Sequence, residues 1–203
     1  MTEGIIYILI NEAMPGYVKI GKTTTSVEQR MRELDVTGVP LPFECFYAAK
    51  VEYMDLVERK LHDAFGDHRV RPRREFFQVD PERIQSALEI AGGEDVTPRQ
   101  DVVEDADDLA ALNKARERRG NFNFKMVEVP IGAELSFSRD HNIKCYVIDN
   151  KKVEFEGEAN SLSKAARILL HREGYTWNQV NGPIYLEYEG EALSERRLRM
   201  EGE

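Results

Sequence analysis

The stretch Ile5-Ile6-Tyr7-Ile8-Leu9-Ile10 constrains this chain more than any other. An unbroken apolar run of this length is strand-sized, and a strand apolar on both sides belongs inside a sheet covered on both faces. The turn signal Met14-Pro15-Gly16 leads from it into a second strand, Tyr17 to Gly21. Alternation then puts Tyr17, Lys19 and Gly21 on one face of that strand. A tyrosine within the first strand and a lysine on its neighbour are costly there unless each meets something polar.

The rest of the first region reads as alternating elements. Ser26 opens a helix, with Gln29 completing a capping box and Met31 and Leu34 forming an apolar edge; Gly38, Pro40 and Pro42 stop it. Phe43 to Val51 is a third strand. Asp55 to Phe65 is a second helix, striped by Val57, Leu61, Ala64 and Phe65. After an arginine-rich loop come a short extended piece, Phe76 to Val79, and a third helix opened by Asp80-Pro81. This order predicts an α/β unit of the α+β kind over residues 1–92, a small mixed three-stranded sheet flanked by helices. Residues 93–120 read as an acidic linker, solvated at first and helical from Asp107. Residues 121–203 read as a second small α+β domain. Its expected strands are Phe124 to Val129, Glu134 to Phe137 and the hairpin Lys144–Ile148/Val153–Phe155. Its helix is capped by Ser161, runs through His171 and is stopped by Gly174, and an Arg-rich tail follows.

Charge narrows the function classes. Twenty-eight basic against 37 acidic residues give a net charge of −9, the wrong sign for holding nucleic acid by bulk electrostatics. The three regions carry 12 basic and 15 acidic, 5 and 8, and 11 and 14 residues, so none is a basic tail. Any polyanion site must be local, and the densest positive cluster is Arg69, Arg71, Arg73 and Arg74. No run reaches the about 18–20 apolar residues of a membrane span, and no secretory signal opens the sequence. Cys45 and Cys145 form no CxxC pair, which disfavours a disulfide scaffold or structural zinc and suits a reducing compartment. The expectation is a cytoplasmic protein with no membrane partner.

Four residues of the first region make a chemical inventory: Tyr7, Lys19, Arg30 in the first helix, and Glu58 in the second. One phenol, two cations and one carboxylate suit phosphodiester hydrolysis, in which a carboxylate holds a divalent metal, cations bind the phosphate and a phenol of lowered pKa activates water. Glu58 and His62, four apart, share one side of their helix. Read singly, each residue has an ordinary alternative: Tyr7 as core, Lys19 as a snorkelling lysine, Arg30 as an exposed helix residue, Glu58–His62 as a solvated pair. His62 alternatively orients its helix through a backbone hydrogen bond, and Glu75 pairs with Arg74 or another arginine.

Taken in order, these residues resemble the GIY-YIG nuclease superfamily over residues 3–90. Gly4-Ile5-Ile6-Tyr7 matches the first motif and Lys19-Ile20-Gly21, followed by Lys22-Thr23, the second. Arg30, Val57-Glu58-Arg59-Lys60-Leu61-His62 and Arg74-Glu75-Phe76-Phe77 follow, as in the phage and bacterial K-I-G branch. The resemblance implies that Tyr7 contacts or activates the attacking water and that Arg30 binds the scissile phosphate. It implies Glu58 as the sole protein ligand of Mg²⁺ or Mn²⁺. Two departures stand out. Lys19 replaces the second-motif tyrosine, which leaves it three roles: holding the phosphate, depressing the pKa of Tyr7, or acting as base. Leu34 stands where many members carry a histidine, and His62 or Tyr17 are the candidates for the missing polar group.

Residues 122–192 resemble the RAMA domain found beside restriction enzymes and adenine methylases, through Val129-Pro130-Ile131-Gly132-Ala133-Glu134-Leu135, Val153-Glu154-Phe155-Glu156-Gly157, Ser161-Leu162-Ser163-Lys164-Ala165-Ala166, Trp177 and Val180-Asn181-Gly182. That likeness implies DNA as the partner, with sensing of modified bases. Candidate DNA contacts are Lys22 and Arg69, Arg71, Arg73 and Arg74 in the first region. In the second they are Ser161, Ser163 and Lys164 at a helix N-terminus, and Trp177 as a stacking ring. The expected function is a metal-dependent DNA endonuclease of restriction or phage defence, paired as a homodimer where both strands are cut. The competing readings are a catalytically inactive DNA-binding module of the same fold and a protein-interaction adaptor.

Overall fold

The computed structural model describes residues 2–119, 121–177 and 180–201; Gly120 and Glu203, two of the boundaries expected from sequence, lie outside them. The chain divides into two compact units, residues 1–120 and 121–203.

In the first unit β1 (Gly4–Ile10) and β2 (Val18–Thr23) form the expected hairpin, then come α1 (Val27–Leu34), β3 (Glu44–Val51), α2 (Met54–Ala64), β4 (Phe76–Phe77), α3 (Pro81–Ile90), β5 (Glu94–Asp95) and α4 (Ala106–Arg119). β1 is covered on both faces. Ile6 and Ile8 pack with Ile20, Leu61, Ile84 and Leu88 on the side of α2 and α3. Tyr7 and Leu9 pack with Val27, Met31 and Phe43 on the side of α1.

The sheet departs from the expected mixed, three-stranded form. Its order is β4-β2-β1-β3-β5, and every pairing is antiparallel. The crossover through α1 does join two parallel strands, β2 and β3, but β1 lies between them, so no parallel ladder forms. The start of the expected linker supplies the fifth strand. Val96 N donates to Ala48 O at 2.9 Å and Ala48 N to Thr97 Oγ1 at 2.9 Å, which satisfies the open edge of β3. Asp105 caps α4 through the amides of Asp107 and Asp108, and Arg116 ties that helix to Asp101 and Glu44. The capping box at α1 is half formed. Ser26 Oγ accepts from Gln29 N at 3.1 Å, while the Gln29 side chain turns to Glu33.

The second unit is a six-stranded antiparallel sheet, order β11-β10-β6-β7-β8-β9. Its strands are β6 (Glu134–Phe137), β7 (Asp140–Val147), β8 (Lys152–Phe155), β9 (Glu158–Ser161), β10 (Leu186–Tyr188) and β11 (Glu191–Ala192), with α5 (Leu162–Arg172), α6 (Gly182–Tyr185) and α7 (Leu193–Glu201). Phe124 to Val127, expected as strand, is a 3₁₀ turn capped by Asn123 and closed by Glu128 in the left-handed region. Both units are α+β, and no helix among the described residues is long and apolar enough to cross a membrane.

Candidate active site

Tyr7 stands opposite Gly21 in the β1–β2 register, and its buried ring lies over that glycine. A Cβ at Gly21 would come within 2.6 and 2.7 Å of the ring's Cζ and Cε2, so the glycine is required for close approach. From α1, Arg30 Nε donates to the Tyr7 hydroxyl at 3.3 Å, and Arg30 Nη1 holds Glu33 at 2.9 Å. Two residues earlier on β2, and therefore on the same face, Lys19 is buried and its ammonium pairs with the carboxylate of Glu75. Glu75 is fixed by its own backbone, for Ile20 N donates to its carbonyl at 3.1 Å and the next two residues pair with Lys19 and Val18.

These contacts settle two expectations differently. Burial raises the Tyr7 pKa above its ordinary value, and the hydrogen bond and charge of Arg30 offset this only in part. The expected phenol of lowered pKa is therefore replaced by one that keeps its proton. Glu75 was expected to pair with an arginine and pairs with Lys19 instead. Burial works to raise its pKa, but the hydrogen bond and charge of Lys19, helped by His62 and Arg30, outweigh it and hold the carboxyl below the usual range.

Glu58 approaches from the other side, since α2 packs on the opposite face. Its side chain is 14% exposed, and Lys22 Nζ reaches Glu58 Oε2 at 2.9 Å and Asp55 Oδ1 at 2.6 Å. One turn further, His62 Nε2 lies 3.2 Å from the carbonyl of Ile20, with its ring 5.1 Å from that of Phe77. No hydrogen bond or ion pair joins Tyr7 to Glu58 among the described residues. They meet electrostatically, because the Glu58 charge acts on the Tyr7 phenol. β4 covers only Val18 and Lys19 of β2. Beyond that short partner, Gly21 and Lys22 lie between the Tyr7–Arg30 group on one face and the Glu58–Asp55 group on the other.

Residues 4–91 match the family model of the T5orf172 domain. This is a family of phage-associated, nuclease-like domains, and the match runs from the first residue of β1 to just past α3. No curated protein and no solved structure matches the chain. Within the matched residues 4–91, Tyr7, Lys19, Arg30 and Glu58 all border Gly21 or its neighbours on β2. Tyr17 does not join them; it precedes β2 in a turn closed by its amide on Met14 O and is exposed. Residues 69–77 form a hairpin in which Arg69 pairs with Phe77 and Arg69 Nε donates to Arg74 O at 2.6 Å. Arg71, Arg73 and Arg74 are left exposed at its tip.

The second unit places its expected DNA contacts differently. Ser161 caps α5, accepting from Lys164 N at 3.2 Å, and Ser163 Oγ accepts from Gly182 N at 3.4 Å. The Gly182 backbone packs so closely here that a Cβ would stand 2.6 Å from Leu162 O. The helix N-terminus is thus engaged by its own chain, and Lys164 is exposed beside it. Trp177 is buried in the core against Tyr175, their ring centroids 4.6 Å apart, and offers no open face for a base. The arginines of the Arg-rich tail are paired, Arg196 and Arg199 with Glu191 and Arg197 with Glu201. Sequence reasoning passed over Asp55 and undervalued Glu75. The signals were there: Asp55 lies one turn before Glu58 on the same helix side, and Glu75 immediately precedes the strand that pairs with Lys19.

Proposed function

We propose that this chain is a metal-dependent DNA endonuclease hydrolysing phosphodiester bonds. The observation that carries the reading is the grouping around Gly21 of an arginine–phenol pair, a lysine–carboxylate pair and a lysine bridging two further carboxylates. Arg30 has donors to spare for non-bridging phosphate oxygens. The Tyr7 hydroxyl, accepting from Arg30 Nε, orients that guanidinium. Arg71, Arg73 and Arg74 track the flanking backbone, each phosphate contact releasing counterions.

Glu58 is the residue to hold Mg²⁺ or Mn²⁺, with Asp55 beside it. No three ligand-type side chains cluster among the described residues, but a Mg²⁺-like ion takes only one or two carboxylates and fills its sphere with water and phosphate oxygens. The Lys22 ammonium, lodged against both carboxylates, marks the position as one that favours a cation. When bound, such an ion stabilises charge on the leaving oxygen as a Lewis acid. The reading extends to restriction or phage defence, with residues 121–203 reading the DNA, modified bases included, and with two chains acting together where both strands are cut.

Supercoiled plasmid incubated with Mg²⁺ or Mn²⁺ tests the core of this. Wild type should nick it and Glu58→Ala should not, while both still retard DNA in a gel. An intact plasmid with wild type in either metal would overturn the reading. Retardation without nicking would favour a non-catalytic DNA-binding module, the alternative that Leu34 supports.

A further inference from the structure

Hydrolysis needs an acceptor for the proton of the attacking water, and the two residues that sequence offers are ill placed for it. The Tyr7 oxygen already accepts from Arg30 and is enclosed beneath α1. The Lys19 ammonium is buried and engaged by Glu75. Glu75 itself is different: its side chain is 42% exposed, so water reaches it, while its backbone is anchored in the sheet through Ile20. The charged and titratable groups facing it come from every element around it, Lys19 on β2, Arg30 on α1, His62 on α2 and the Tyr7 hydroxyl on β1. Lys19 and Arg30 are cations, and of the carboxylates that interact with Arg30, Glu33 is spent on Arg30 Nη1 along α1, whereas Glu75 is held by Lys19 from the sheet.

We propose that Glu75 is the general base of this site, a catalytic residue that takes the proton from the attacking water while Lys19 fixes its carboxylate beside the phosphate-binding Arg30. The inference rests on the nuclease reading. In the step, one O–H bond of water breaks and its proton passes to a Glu75 carboxylate oxygen. The water oxygen bonds to phosphorus, and the opposite P–O bond to the sugar breaks. The departing oxygen takes a proton from solvent, and Glu75 later returns its own to solvent. The carboxylate is ionised throughout the neutral range.

The test compares wild type, Glu75→Gln and Glu75→Asp in single-turnover cleavage of supercoiled plasmid with Mn²⁺, alongside metal-free gel retardation and thermal unfolding. Removing a general base costs about 10²–10⁴-fold, so Glu75→Gln should cleave at least about a hundredfold more slowly. It should bind DNA as tightly as wild type or tighter, having lost a negative charge, and Glu75→Asp should recover part of the rate. Cleavage by Glu75→Gln within about threefold of wild type, far short of a general-base effect, would overturn the inference. So would a loss of DNA binding that matches the loss of cleavage. If Glu75→Gln alone does not fold, the comparison is made in a Lys19→Met background, which removes the buried ammonium. Lys19→Met must then out-cleave Lys19→Met/Glu75→Gln by a similar factor, and equal rates overturn the proposal. Failure of wild type to cleave sinks the nuclease reading itself, whereas wild-type cleavage with an equally active Glu75→Gln sinks only this inference.

Discussion

Gly21→Ala isolates the closest contact of the site. In a strand the backbone favours the change, because glycine costs about 0.5–1 kcal/mol relative to alanine there. Packing opposes it. The new methyl would lie 2.6 and 2.7 Å from two ring atoms of Tyr7, where relaxed carbon contacts sit near about 3.5–4 Å. The ring must therefore move by roughly 1 Å, and being buried beneath α1 it moves into that helix and away from Arg30. Overpacking of this kind costs about 1–3 kcal/mol, and weakening a hydrogen bond to a charged group costs about 1.5–3 kcal/mol in full. The net expectation is a loss of about 2–4 kcal/mol, which for a unit of this size lowers the melting temperature by roughly 10 °C. Amide hydrogen exchange along β1 and β2 reads it directly; the fluorescence of Trp177, the only tryptophan, reports on the other unit. Gly38→Ala is the control, since a Cβ there meets nothing within 4 Å. A Gly21→Ala protein within about 0.5 kcal/mol of wild type, the range of an ordinary surface change, would refute the reasoning.

Burial pushes the thiols of Cys45 and Cys145 up to about 12, so neither should react with a thiol reagent in the native protein at neutral pH. Both should react once the chain is unfolded, and rapid native labelling would contradict the placement of either. Cys45 and Tyr47, raised from 9.0 and 10.0 to about 12, hold their protons more tightly folded than unfolded. Their contribution to stability is complete below pH about 9 and is lost as pH rises towards 12; urea titrations of the first unit across that window should show the fall. Gly182→Ala would set a methyl 2.6 Å from the Leu162 carbonyl, where backbone cannot yield, and should destabilise the second unit by several kcal/mol in Trp177 fluorescence, at or beyond the upper end for overpacking.

The apolar run from Ile5 to Ile10, the Ser26 and Asp80 caps and the stripe of Val57, Leu61 and Phe65 were legible because each is a local pattern, whereas Ala64, expected in that stripe, is exposed. The antiparallel character of the sheet was not, because nothing in a strand–helix–strand order says that β1 will lie between the strands it precedes. Residues 94–97 read as solvated, since their acidity masks a backbone role in which side chains take little part. Phe124 to Val127 misled by composition, apolar and strand-like yet turned by the Asn123 cap. At the site, order along the chain pointed to Tyr7, Arg30, Lys19 and Glu58, but not to the partner that occupies Lys19. That partner depends on a hairpin whose return strand is two residues long, too short to carry a periodic signal.

That hairpin also dictates when the site can be complete. The Tyr7–Arg30, Lys22–Asp55, His62–Ile20 and Lys19–Glu75 contacts span 23, 33, 42 and 56 residues, each closing a longer loop than the last. During synthesis the β1–β2 pair is available early, whereas Lys19 waits for its counter-charge until residues beyond 75 have left the ribosome. A nascent chain at that stage holds an unneutralised ammonium in its growing core, so maturation of the reactive centre and closure of the sheet edge are a single late event.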